Sequence, residues 1–152
     1  MKLYLLSALT VFGLMISCSN AKELEPDVET DINPPQEENV IDGILVTDMG
    51  AYSSDPLGIL NVVVEKDLMR VTVKYSGGCQ EHGFELVGLK MISKSIPPQR
   101  SIKIFHTANG DDCRELIEET IVFDISTFAI GNGEVTLHLD GWGTPLSYLP
   151  AQ

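Results

Sequence analysis

Basic residues are scarce in this chain: ten Lys and Arg stand against 22 Asp and Glu among 152 residues, a formal charge of −12. Such a surface repels phosphates, which excludes nucleic acid and anionic lipid as electrostatic partners and makes a cationic protein the natural match. Long apolar runs are also missing. The one extended run, Leu3 to Ser17, is shorter than the roughly 20 residues a membrane-crossing helix needs. The chain has no Gly-x-Ser-x-Gly elbow, no phosphate-binding glycine loop and no metalloprotease His pair, so these chemistries have no motif to stand on. It has three cysteines, a single tryptophan and no internal repeat.

The apolar run follows Lys2 and closes on small or polar residues, the pattern of a cleaved leader over residues 1–17. Its last residues with the next one, Met15-Ile16-Ser17-Cys18, resemble the bacterial lipobox. That resemblance implies cleavage before Cys18, diacylglycerol on its thiol and an acyl chain such as palmitate on its new amino group. Two or more chains hold a protein stably on a membrane. Ser19 replaces the Asp that retains many lipoproteins in the inner membrane, and Ala21-Lys22-Glu23 is similar to signals that export some to the surface. The expected location is therefore the outer membrane, facing the periplasm or the exterior.

Residues 18–39 read as the lipidated cysteine plus a tether. The segment holds seven carboxylates (Glu23, Glu25, Asp27, Glu29, Asp31, Glu37, Glu38), three prolines and few large apolar residues, too little to offset the entropy of ordering. As a coil it spans about 25 Å. Loss of Lys2 with the leader leaves 22 acids against nine bases, −13.

Residues 40–152 are large enough for one core. Val71, Val73 and Tyr75 alternate with polar residues, as do Ile121, Phe123 and Ile125, and Val135, Leu137 and Leu139. Period two in short runs predicts strands with one buried face. Further strands are expected at 41–47, 58–65, 84–91 and 101–107. Glu65-Lys66-Asp67 and Gly131-Asn132-Gly133 read as hairpin turns, and Pro97-Pro98 as a break. One short helical turn is expected at 111–119, with Asp112 as cap and Glu115 three residues later. The fold class is all-β: a single antiparallel sandwich or small barrel of about seven strands.

With Cys18 given to lipid, Cys79 and Cys113 remain, and an even pair in an oxidising compartment forms a disulfide. An alternative is zinc or copper held by Cys79, His82, His106 and Cys113, since Cys79 and His82 have tight Cys-x2-His spacing. A third is a nucleophilic Cys79 with His82 as base and Asp111 as orienter, which needs a reduced thiol. His138 reads as exposed. The corner Tyr75-Ser76-Gly77-Gly78-Cys79 with His82, and the second corner Asn109-Gly110-Asp111-Asp112-Cys113, resemble those of small uncharacterised bacterial lipoproteins. The resemblance implies that the two corners form one unit, and carries no activity with it.

The functional expectation is a monomeric, non-catalytic binding or structural module of the envelope, without a cofactor, whose partner is a cationic protein or a glycan. Trp142 and Tyr148, with Tyr52, would form the glycan platform; single aromatics of this kind also serve as lids over a core. The alternative role is an inhibitor of a cationic hydrolase such as lysozyme.

Overall fold

The computed structural model describes residues 38–152, so the leader, Cys18 and the tether as far as residue 37 lie outside the described residues. The chain runs through β1 (Val40–Asp42), β2 (Ile44–Val46), β3 (Gly58–Glu65), β4 (Leu68–Gly77), β5 (Gly83–Leu89), β6 (Gln99–Thr107), β7 (Glu115–Asp124), a 3-10 turn (Ser126–Phe128), β8 (Val135–Leu139) and β9 (Leu146–Tyr148). The strands form two sheets, ordered β1-β7-β4-β3 and β2-β5-β6-β8-β9. The architecture is thus a sandwich rather than a barrel.

Alternation decides which side chains fill the space between the sheets. Met69, Val71, Val73 and Tyr75 of β4 point inward with Ile121 and Phe123 of β7, and meet Leu86, Ile102, Ile104, Val135, Leu137 and Leu139 from the second sheet. Each such side chain stabilises the fold by about 1.5–3 kcal/mol relative to exposure. The β3–β4 hairpin closes over Lys66 and Asp67, with Lys66 at φ 54°, as the sequence predicts.

Pairing is mixed, not purely antiparallel: β1 with β7, β2 with β5 and β6 with β8 are parallel. In the last case the chain leaves β6 for β7 in the opposite sheet and returns, the crossover that a parallel pair requires. The expected strand over 41–47 is split at Gly43, where the chain passes from one sheet to the other. Gly43 donates its N–H to Asp124 O at 2.8 Å. A Cβ there would lie 2.7 Å from the ring of Phe128, and one at Gly88 would meet the same ring at 2.7 Å. Phe128, fully buried, wedges between the sheets at this crossing.

Three other expectations are corrected. No helix forms at 111–119: Glu115 to Glu119 begin β7, where Leu116, Ile117, Glu118 and Glu119 lie opposite Ser76, Tyr75, Lys74 and Val73. A complete ladder with β4 outweighs the helix preference of three glutamates. The 3-10 turn instead lies after β7. Gly131 has a positive φ of 63° as expected, but its turn leads from the 3-10 turn into β8 rather than closing a hairpin. Finally, Tyr148 is fully buried in β9 and donates its hydroxyl proton to Asp67 Oδ1 at 2.7 Å, while Trp142 packs half-buried on the core. Tyr148 therefore has no face to offer a ligand, and the pair is core lid rather than platform.

Candidate functional site

The connections β4–β5 and β6–β7 meet at one end of the sandwich, and both expected cysteines lie in them. Cys79 and Cys113 are joined by a disulfide, with Cα atoms 5.9 Å apart across 34 residues of sequence. Both corners need left-handed backbone, supplied by Gly78 (φ 116°) in the first and by Asn109 (φ 52°) and Gly110 (φ 75°) in the second. Gly77 has a different reason: a Cβ there would lie 2.5 Å from His82 Nε2.

Asp111 ties the corners together a second time. Its Oδ2 accepts the N–H groups of Cys79 (2.8 Å) and Gln80 (2.9 Å), and its Oδ1 accepts that of Cys113 (2.8 Å). The Cys113 bond, and with it those from Cys79, Gln80 and His82, hold its carboxyl well below the usual carboxylate range. Asn109 adds a bond from its side-chain amide to Glu81 O at 2.7 Å.

A line of polar contacts runs inward from Asp111. His82 Nε2 lies 3.3 Å from Asp111 Oδ2, His82 Nδ1 lies 2.7 Å from His106 Nε2, and His106 Nδ1 lies 3.1 Å from Pro56 O. Both ends of this line are oxygens that only accept, so each outer nitrogen must carry a proton, and the inner pair shares one more. Burial, and then the neighbouring His82, push His106 below the ordinary imidazole value. Aromatic surfaces close the line in: Tyr75 packs on His82 and His106 with ring centroids 4.5 and 4.9 Å apart, and Phe84 stacks on His106 at 5.1 Å. The Tyr75 hydroxyl donates to Glu119 Oε1 at 2.5 Å; burial first, and then this carboxylate, raise the phenol well above its usual value.

The four residues offered as zinc or copper ligands do come to the same end of the sandwich, but the metal-binding arrangement is not what they form. The two sulfurs are bonded to each other, and the imidazoles are engaged with one another, Asp111 and Pro56. Asp111 lies near both sulfurs, yet each of its oxygens already accepts main-chain N–H groups. The nucleophile arrangement is likewise overturned: Cys79 has no thiol, and the line through Asp111 and His82 ends on a second histidine and a main-chain carbonyl. His138 is exposed as expected and contacts Gln99 Oε1 through Nε2 at 2.9 Å.

Beside this end lies a groove of about 700 Å³ that the sequence does not announce, bounded by Tyr75, His82, Phe84, Glu119 and Ile121. Its acidic members sit on different strands and loops, so no run of charge marks it in the chain.

No protein-family model matches this chain, and no curated protein matches it. Among solved structures it is similar to a NigD-like immunity protein from Bacteroides caccae, with a TM-score of 0.54 at 15% identity over 74% of this chain and 64% of that one. It is also similar to a protein of unknown function from Bacteroides vulgatus, with a TM-score of 0.48 at 16% identity over 74% of this chain and 55% of that one. The chain therefore spans less than two thirds of the length of either structure. The first likeness establishes a common fold.

Proposed function

We propose that this chain is a non-catalytic binding module of the cell envelope, anchored in the outer membrane through lipid on Cys18, and that its partner is a cationic protein. One observation carries the reading. The groups at the braced end that could do chemistry are spent on each other, while Glu81 and Glu119, which line the adjoining groove, and Glu115 and Glu118, on the same strand as Glu119, stand exposed. A rigid acidic surface steers and selects a basic partner. The fold shared with a NigD-like immunity protein supports a role in binding rather than catalysis. A cationic hydrolase such as lysozyme is one partner of this chemistry.

Capture from envelope extract at low and high salt tests the proposal. The expected result is one tight complex with a basic protein that dissociates as salt rises; a partner retained equally at both salts, or an acidic one, would overturn it. For the anchor, Cys18→Ala should move the protein from the membrane fraction to the soluble one, and an unchanged distribution would exclude lipid on Cys18.

A further inference from the structure

Strand β7 is ten residues long, and β4 matches it along one edge from Leu68–Asp124 to Gly77–Glu115. On the other edge β1 covers only Val122, Phe123 and Asp124. Among the described residues, nothing pairs with that edge over Glu115-Leu116-Ile117-Glu118-Glu119-Thr120-Ile121. The open stretch is about 23 Å long at 3.3 Å per residue, and Leu116 within it is 66% exposed. Alternate residues turn unpaired N–H and C=O groups outward, and such an edge is a template for a further strand.

The groove lies along this same edge. Glu119 and Ile121 line it from one face of β7, Thr120 and Val122 from the other, and Gly83 and Phe84 at the start of β5 stand opposite. An added strand would fit between them, with apolar contacts to Phe84 and Ile121.

Charge selects the occupant. The edge has no Pro, Lys or bulge to blunt it; it carries Glu115, Glu118 and Glu119, with Glu81 across the groove, and the guanidinium that also lines the groove, that of Arg70, is paired with Glu38 and Glu65. A second copy would bring the same carboxylates against these. The chain's own upstream segment is no better matched. Continuing the β1 register from Val40 opposite Val122 would set Glu37 beside Glu119, and would bring Pro34 and Pro35, which have no N–H, against Leu116 and Ile117.

We infer that the β7 edge from Glu115 to Ile121 takes an extended, Lys- or Arg-bearing segment of a partner protein as an added strand. Main-chain bonds supply the affinity, and Glu81, Glu115, Glu118 and Glu119 supply the choice of charge. The inference rests on the reading of this chain as a module for a cationic protein, and names where that partner binds.

The test uses the full lipidated protein in nonionic detergent and three capped peptides of roughly nine residues, the length needed to overlap the edge. One alternates Lys and Val, one alternates Glu and Val, and one is the Lys peptide with every peptide nitrogen methylated. The Lys peptide should slow amide exchange within 115–121 and bind about tenfold more weakly at high than at low salt. The Glu and methylated peptides should bind at least about tenfold more weakly, and E115K/E118K should reverse the charge preference. Equal binding of the methylated peptide, or protection that maps elsewhere, would overturn strand addition. If a basic envelope protein is still captured in a salt-sensitive way while 115–121 gains no protection, the edge is wrong and charge-driven binding stands. If no basic protein is captured yet the Lys peptide protects the edge, the edge stands and the envelope reading falls.

Discussion

His82 and His106 come from different strand ends, 24 residues apart, and face each other through Nδ1 and Nε2 at 2.7 Å inside the braced end of the sandwich. With a proton on both facing nitrogens neither ring would have an acceptor to offer the other, and the bond between them would be lost. Asp111 faces the pair from the β6–β7 corner and Asp55 from the segment before β3, while Tyr75 covers it from β4.

Acid should therefore loosen the fold in two stages. His106 is held below its ordinary value of 6.5, so the unfolded chain takes up this proton first. Its contribution is complete above about pH 6.5 and drains away as pH falls. Asp111, also depressed, adds a further loss below its ordinary value of 3.8. Urea unfolding at a series of pH values should show midpoints falling from neutrality downward. His106→Phe should flatten the upper part of that decline, and should cost about 1–3 kcal/mol at neutral pH by leaving Pro56 O and His82 Nδ1 without partners. An unchanged slope would show that His106 is not the source of the decline.

The alkaline limb has the opposite sign. Burial, and then the Asp67 carboxylate, raise the Tyr148 phenol above its usual 10.0, so its stabilisation is present below pH 10 and lost as pH rises beyond it. Tyr148→Phe should cost about 0.5–1.5 kcal/mol at neutral pH and flatten this limb, as read by thermal unfolding between neutral and strongly alkaline pH.

Removing the disulfide with Cys79→Ala and Cys113→Ala should destabilise the domain by roughly 3–4 kcal/mol in the chain-entropy account, given 34 residues between the cysteines. The corners should nevertheless keep their geometry, because Asp111 still binds three main-chain N–H groups. Exchange of the amides at positions 79, 80 and 113 should rise sharply only when Asp111→Ala is added, and a rise with the cysteine changes alone would show that the carboxylate is not a brace in its own right.

Gly88 and Phe128 should show strong coupling. A Cβ at Gly88 meets the Phe128 ring at 2.7 Å and Ile102 Cγ2 at 3.3 Å, contacts with side chains only. Gly88→Ala should cost about 1–3 kcal/mol in the intact chain, and Phe128→Ala about 3–5 kcal/mol. The double variant should cost less than the sum, since the new methyl group occupies part of the space the ring leaves. Additive losses in denaturant unfolding would place the two apart.

Local chemistry determined much of this protein. Alternation wrote the buried faces of β4, β7 and β8, Lys66 and Asp67 the hairpin turn, and an even pair of cysteines after Cys18 the disulfide. The anchor and tether, expected from residues adjacent in sequence, lie outside the described residues as far as residue 37. The strand and turn signals are complete within a few residues, and the disulfide needs only a count of cysteines, which is why these could be read from the chain.

Only the tertiary structure decided the rest. Glu115 to Glu119 became a strand because β4 was there to pair with it, Gly43 divides two strands because Phe128 fills the space against it, and Tyr148 became core through Asp67, 81 residues away in the chain. His82, His106 and Asp111 were legible as candidates, but the sequence also allowed metal ligation and nucleophilic catalysis. Proton donors and acceptors are matched in space, so their roles were set by partners that folding brought from Pro56, Cys79 and Gln80. The open edge of β7 was invisible for the same reason: a strand shows its own periodicity, whereas a neighbour that stops after three residues of pairing exists only once the sheets have formed.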